Sequence, residues 1–219
     1  MTVIRIRQVS YDRITAVCVP DDAGRSALNI ERYANNNSIT AISQMEYRAM
    51  QRPSAGEYAT SYQKYFDLVP EGDYLSLLRQ NLINTITRLE QIPVEKLDYR
   101  YAEGKWTIKE VLMHIIDTER VFSYRALVAA RGDATTPHYR MDEELYAKNV
   151  DVSDRTLQSL ISELKAVRAS TEQLFENLTD AQSKFLCNIV THQMTARAIG
   201  YFMIGHVQHH LAVIEERYL

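Results

Sequence analysis

Residues 106–132 read WTIKEVLMHIIDTERVFSYRALVAARG, and the fold turns on how this stretch is read. Thr107 stands at an N-cap position with Glu110 at N3, a capping box in which each side chain satisfies an orphan amide of the first turn. Trp106 and Val111 are placed to form a hydrophobic staple around that start. Apolar residues then recur at helical spacing until Gly132 supplies the stop. A long helix with one apolar stripe must bury it against other elements.

Its neighbours in sequence have the same character. Upstream, Leu75, Leu78, Leu82, Ile86 and Leu89 mark a helix with Asp73 as N-cap and Pro93 as its stop. Downstream comes a polar, Pro-containing connection of about twenty residues, longer than antiparallel neighbours need, which suggests a crossover or a functional loop. A third helix lies within SDRTLQSLISELKAVRASTEQLFENL (153–178), with Leu157, Leu160, Leu164, Val167, Leu174 and Leu178 on one side. TDAQ then offers a second capping box, Thr179 with Gln182. The last helix begins near Thr195 and runs to the C-terminus. Four long amphipathic helices with no strand signal among them make an all-α protein, a four-helix bundle.

The first 49 residues differ. MTVIRIRQVSYDRITAVCVPDD (1–22) alternates and is rich in β-branched residues, which suggests one or two short strands. NNNSIT (35–40) is a polar break, and SITAISQMEYRAM (38–50) could be a short helix. Nothing here is long enough for its own core. Residues 1–49 therefore read as an N-terminal extension, disordered or partly strand, of the kind an over-long gene reading would add. QRPSAGEYATSYQKYFDLVPEGD (51–73) is punctuated by Pro and Gly and reads as irregular chain wrapped onto a domain spanning residues 50–219.

Bulk properties exclude several classes of function. A chain of 219 residues can bury a substantial core. A net charge of -3, with no basic stripe, argues against nucleic acid as a partner. Cys18 and Cys187 lie far apart and outside any CxxC, so neither a disulfide framework nor a zinc ribbon is expected. No stretch approaches the roughly 18 apolar residues of a membrane span, and the cytoplasm is the default compartment.

The last helix poses the chemical question. With His206 as the angular origin, Ile199, Phe202, Met203, His210, Val213, Ile214 and Arg217 fall within about 80° of it. His206 and His210 thus occupy the centre of an apolar face, one turn apart, while His209 lies at its edge. Buried imidazoles need compensation, because each carries a donor and an acceptor. Hydrogen bonding within the core provides it; so does a divalent metal, since ring nitrogens at i and i+4 can meet at one ion. HxxxH alone is weak evidence, and its position on an apolar face strengthens it. His114, on the flank of the second helix, is the best third candidate; His138 and His192 sit in loops and are weaker. Three protein ligands would leave a fourth position for water or substrate.

EGKWTIKEVLMHIIDTERVFSYRAL (103–127) together with ARAIGYFMIGHVQHHLAVIEERYL (196–219) resembles the DinB-like family of bacterial, damage-inducible four-helix bundles, over about residues 50–219. The resemblance implies a divalent metal, zinc or nickel, held by one histidine of the second helix and two of the fourth: His114, His206 and His210. It also implies an up-down-down-up topology. Members with known chemistry join a low-molecular-weight thiol, such as bacillithiol or mycothiol, to an electrophile. Two features depart from the family pattern. Residues 1–49 have no counterpart, and CNIVTHQM (187–194) is poorer in Gly and Asn than expected at the rim of such a site.

On that resemblance the leading expectation is a metal-dependent thiol S-transferase. A metal-dependent hydrolase and a non-catalytic stress-response bundle that binds a ligand are the alternatives. A metal-coordinated thiol is deprotonated, so a small thiol co-substrate could bring its own nucleophile. Arg217 shares the face of His206 and His210, and Arg125 shares the flank of His114; either could hold a carboxylate of the thiol, or form structural ion pairs. Glu119, near the centre of its helix's apolar stripe, suits a buried partner for an arginine. A homodimer would bury leftover apolar faces.

Overall fold

The computed structural model describes residues 3–5, 15–20, 26–31 and 50–219. It divides into two compact units, Met1–Ala49 and Met50–Leu219. In the first, β1 (Val3–Arg5), β2 (Thr15–Pro20) and β3 (Ser26–Glu31) form an antiparallel sheet in the order β1-β2-β3, with Val3 opposite Val17 and Cys18 opposite Leu28. The first two strands fall where alternation suggested them; β3 had not been foreseen. The helix read over 38–50 lies, apart from Met50, outside the described residues.

The second unit begins with the short α1 (Gln63–Phe66) and is built on four long helices: α2 (Tyr74–Leu89), α3 (Ile108–Ala130), α5 (Leu157–Glu176) and α7 (Ala196–Arg217). Each starts at a side-chain cap. Asp73 accepts from the Ser76 amide, Thr107 forms the full box with Glu110, and Thr156 and Thr195 accept from Ser159 and Ala198. Such caps contribute about 1 kcal/mol each. Smaller elements fill the connections, among them α4 (Glu143–Asn149), α6 (Asp180–Ser183) and a hairpin of β4 (Leu186–Ile189) with β5 (His192–Thr195). The capping box of Thr179 and Gln182 starts α6 as expected. The hairpin corrects the expectation that the helices carry no strand between them.

α7 packs on α2 and α3, and α5 packs on the same two from the other side. The directions follow from which ends meet. α2 and α7 run parallel, with Tyr74 against Gly200 at one end and Arg88 paired with Glu215 at the other. α3 opposes α7, since the Tyr218 hydroxyl donates to the Trp106 carbonyl while Phe122 packs on Phe202. α5 opposes α2, since Arg79 reaches both Glu172 and Glu176. The order is up-down-down-up. Because α3 and α5 are parallel, the chain between them must return the length of the bundle, which explains the long connection at 131–156.

Two apolar clusters fill the bundle. One gathers Leu78, Phe122, Phe175 and Phe202; the other gathers Leu89, Val111, Leu160 and Leu211. Between them, each helix contributes buried polar groups: Asn81 and Thr85 from α2, Glu119 from α3, Arg168 and Thr171 from α5, His206 from α7. Glu119 and Arg168 pair there, so Glu119 does meet a buried arginine. A buried polar layer is tolerable only when its members satisfy one another.

Candidate metal centre

α3 and α7 bring His114, His206 and His210 together. Nε2 of His206 lies 3.1 Å from Nε2 of His114 and 3.1 Å from Nε2 of His210. All three nitrogens fall within 4.8 Å of one another, the one group among the described residues with the spacing of a metal site. Nitrogens about 2.0–2.1 Å from one tetrahedral ion would be roughly 3.3 Å apart.

The chemistry of the donors fits a divalent cation. Burial pushes His114 down to about 4 and His210 to about 3, and it holds His206 well below the ordinary histidine range, with its two partners adding to the effect. All three are therefore neutral at pH 7 and present lone pairs. A proton on His206 Nε2 can be shared well with only one neighbour, whereas an ion accepts from all three. His114 Nδ1 is buried with no hydrogen-bond partner among the described residues, so the ring is held by packing, its centre 4.9 Å from that of Trp106.

The three histidines open into a cavity of about 570 Å³. α1 supplies one wall through Lys64 and Tyr65, and it sits there because Gly205 lets its backbone approach α7: a Cβ on Gly205 would collide with the Tyr65 carbonyl. The crossover supplies another wall through Arg140, Met141 and Glu143, with the Met141 sulfur 3.9 Å from the Thr118 hydroxyl. The turn of the β4–β5 hairpin, Val190 and Thr191, completes the rim. Val190 has φ 53°, a left-handed conformation that a β-branched residue adopts at a cost.

The other sequence candidates scatter. Arg125 lines the cavity. Arg217 does not; it is exposed, 5.6 Å from the Tyr101 ring centre. It shares the histidine face, but it lies roughly 10 Å further along the helix axis than His210. His138 is buried on the crossover beside Tyr124, and His192 lines the cavity against Tyr62, but neither joins the three. His209 lines the cavity edge-on to Tyr65. Tyr62, Lys64, Tyr65, Arg140 and Met141 were not foreseen. One signal could have placed α4 and the residues before it: Asp142 heads an acidic first turn and caps it by accepting from the Leu145 amide.

Comparison with known proteins adds a family and a fold. The family model described as the DinB superfamily matches residues 77–214. No curated protein sequence matches. The structure is similar to that of YfiT from Bacillus subtilis, described as "a probable metal-dependent hydrolase with an unusual four-helix bundle topology". The two are 20% identical with a TM-score of 0.58, over 76% of this chain and 90% of that one. It is also similar to a mycothiol-dependent maleylpyruvate isomerase, at 14% identity and a TM-score of 0.52, covering 67% of this chain and 61% of that one. At these identities the likeness concerns the fold.

Proposed function

The chain belongs to the DinB superfamily, and on that footing we propose that it is a divalent-metal-dependent enzyme, a thiol S-transferase joining a low-molecular-weight thiol to an electrophile. The observation that carries the reading is the convergence of three neutral Nε2 atoms on one point at the floor of an open cavity. Three imidazoles suit zinc or nickel, and a three-residue set leaves a position for a small molecule. A divalent ion held there supplies a Lewis acid that favours the anion of a coordinated thiol or water.

The chain's own residues bind, orient and exclude solvent. His114, His206 and His210 would hold the ion, and their neutrality at pH 7 keeps them ready for it. Trp106, Tyr65 and Phe202 line the space around them with apolar surface. No carboxylate is hydrogen-bonded to any of the three histidines among the described residues. Glu143, the acid on the cavity wall, is paired with Arg140 at 3.2 Å. A thiol needs less help to lose its proton than water does, so three histidines with no carboxylate hydrogen-bonded to them favour the thiol. The name of the mycothiol-dependent neighbour agrees with this reading, and the description of YfiT favours a hydrolase as the second one.

Elemental analysis of untagged protein tests the centre. About one equivalent of zinc or nickel is expected in the wild type, and none in His114→Ala, His206→Ala or His210→Ala. The metal-loaded protein is then assayed with thiols and an electrophile. Thiol consumption that needs the metal supports the transferase, whereas turnover of an ester or amide without thiol would replace it with the hydrolase. A metal-free wild type would withdraw both and leave a ligand-binding bundle.

A further inference from the structure

Three arginines lie buried among the described residues, and they differ in what surrounds them: Arg197 is held by the Glu57 carboxylate. Arg168 spends its guanidinium on Glu119, Asn81 and the Leu78 carbonyl. Arg125 is 4% exposed and lines the cavity, yet among the described residues no carboxylate pairs with it. It makes one hydrogen bond, from Nη2 to the Tyr139 carbonyl at 2.8 Å, and its guanidinium carbon stands 4.5 Å from the Phe122 ring centre. A guanidinium carries five N–H donors, so most of the fork is left over. A buried charge without a counter-charge is costly, and here it stands at the wall of a cavity that a ligand can enter.

His192 faces the same cavity from β5, and its Nε2 is buried with no hydrogen-bond partner among the described residues. Burial, and after it the Arg125 charge, push this imidazole down, so it is neutral on the lining that it shares with the guanidinium. From these two groups we infer that Arg125 and His192 form a carboxylate-binding subsite in the cavity, away from the three histidines, and that the small molecule handled here is an organic acid. The inference rests on the proposed metal chemistry only for what becomes of that acid, not for its binding.

The geometry also fixes the shape of the acid. His114 and Arg125 project from one face of α3, with Cα atoms roughly 16 Å apart along the axis. The contact of Arg125 with Phe122 shows its side chain leaning back toward the histidines. Between the two ends lie Phe122 and Phe202, ring centres 4.3 Å apart, with Phe202 5.4 Å from His206. The acid therefore carries an apolar spacer of several carbons between its carboxylate and the atom that reacts. One guanidinium fork with a neutral imidazole matches the two oxygens and single charge of a carboxylate better than a phosphate dianion.

Titration calorimetry of the full chain with hexanoate and its neutral analogue hexanamide tests the subsite. Zinc-free wild type is expected to bind hexanoate at least about tenfold tighter than hexanamide, as a charge-assisted pair predicts. Arg125→Gln should erase that preference, and His114→Ala should keep it. Equal affinities in zinc-free protein, a preference that survives Arg125→Gln, or displacement of hexanoate by equimolar inorganic phosphate would each overturn the inference. If Arg125→Gln does not fold, a crystal structure of the wild type with hexanoate decides, and a carboxylate beyond hydrogen-bond reach of Arg125 overturns it. The hexanoate preference without metal binding would sink the proposed function and leave the subsite standing; metal binding without the preference would do the reverse. Cobalt-loaded protein titrated with 6-mercaptohexanoate and 6-mercaptohexanol then locates the carboxylate. A gain for the acid places it on the thiol, and equal binding places it on the electrophile.

Discussion

Oε1 of Glu119 lies 2.7 Å from Nε of Arg168, and its Oε2 lies 2.8 Å from Nη2, both side chains being almost wholly buried. The pair is the centre of the polar layer that separates the two apolar clusters. Removing one partner strands the other charge without water, so Glu119→Leu should cost about 3–5 kcal/mol. Replacing both, with Glu119→Leu and Arg168→Met, should recover most of that loss, because the desolvation penalty of two ions disappears with them. Urea unfolding of the two single variants and the double variant measures the coupling. A double variant no more stable than Glu119→Leu would mean that the layer is held by something other than this pair.

Gly205 is where α7 admits α1. A Cβ at this position would meet the Tyr65 carbonyl, a backbone atom that cannot swing aside. Gly205→Ala should therefore displace α1, with a loss of about 1–3 kcal/mol from overpacking. The cavity wall carrying Lys64 and Tyr65 moves with it. The histidines do not, so metal content should remain near wild type while affinity for any cavity ligand falls. Loss of metal in this variant would show that α1 supports the centre directly.

These two positions also show what sequence could and could not deliver. Helix starts are local, so Thr107 with Glu110, Asp73 and Thr195 could be read from neighbours a few residues away. The HxxxH of α7 is local too, and placing His114 beside it needed only the packing of two strongly periodic helices. The partner of Glu119 was not local. Arg168 is 49 residues away, on a helix whose rotation no short pattern fixes. The crossover was read as polar chain because α4 is too short to show a period, and β4 and β5 have four residues each. Arg217 illustrates the opposite failure. Its angle on the helix is right, but a helical wheel holds no depth along the axis, and the residue ends up on Tyr101 outside the cavity.

Val190 holds φ 53° in the two-residue turn of the hairpin at the cavity rim. Turns of this kind favour Gly or Asn, and a β-branched residue there is strained by about 1–3 kcal/mol. Val190→Gly should relieve the strain, offset in part by the greater backbone freedom of glycine in the unfolded chain, for a net gain of about 1 kcal/mol. A rise in the urea midpoint with an unchanged slope is the expected readout. A fall would show that the exposed Val190 side chain contributes contacts that outweigh its backbone strain.

Glu57 ties the irregular segment before α1 to the start of α7. Its carboxylate accepts from Arg197 Nε at 2.6 Å and from the Thr195 hydroxyl at 2.9 Å, while its backbone carbonyl accepts from the Thr195 amide. Burial pushes this carboxyl up, but hydrogen bonds from Arg197, Ser54 and Thr195 outweigh it and hold the group at about 2, against 4.5 without them. The unfolded chain therefore binds the proton first as pH falls. The stabilisation is fully present above pH 4.5 and is lost as pH drops from there through about 2. Its size is about 1–2 kcal/mol, less than the whole shift implies, because part of the carboxylate meets water. Glu57→Gln should be less stable than wild type by that amount at pH 6, and most of the gap should be gone by pH 2. A gap that persists unchanged at pH 2 would assign the effect to the packing of the segment on α7 rather than to the charge.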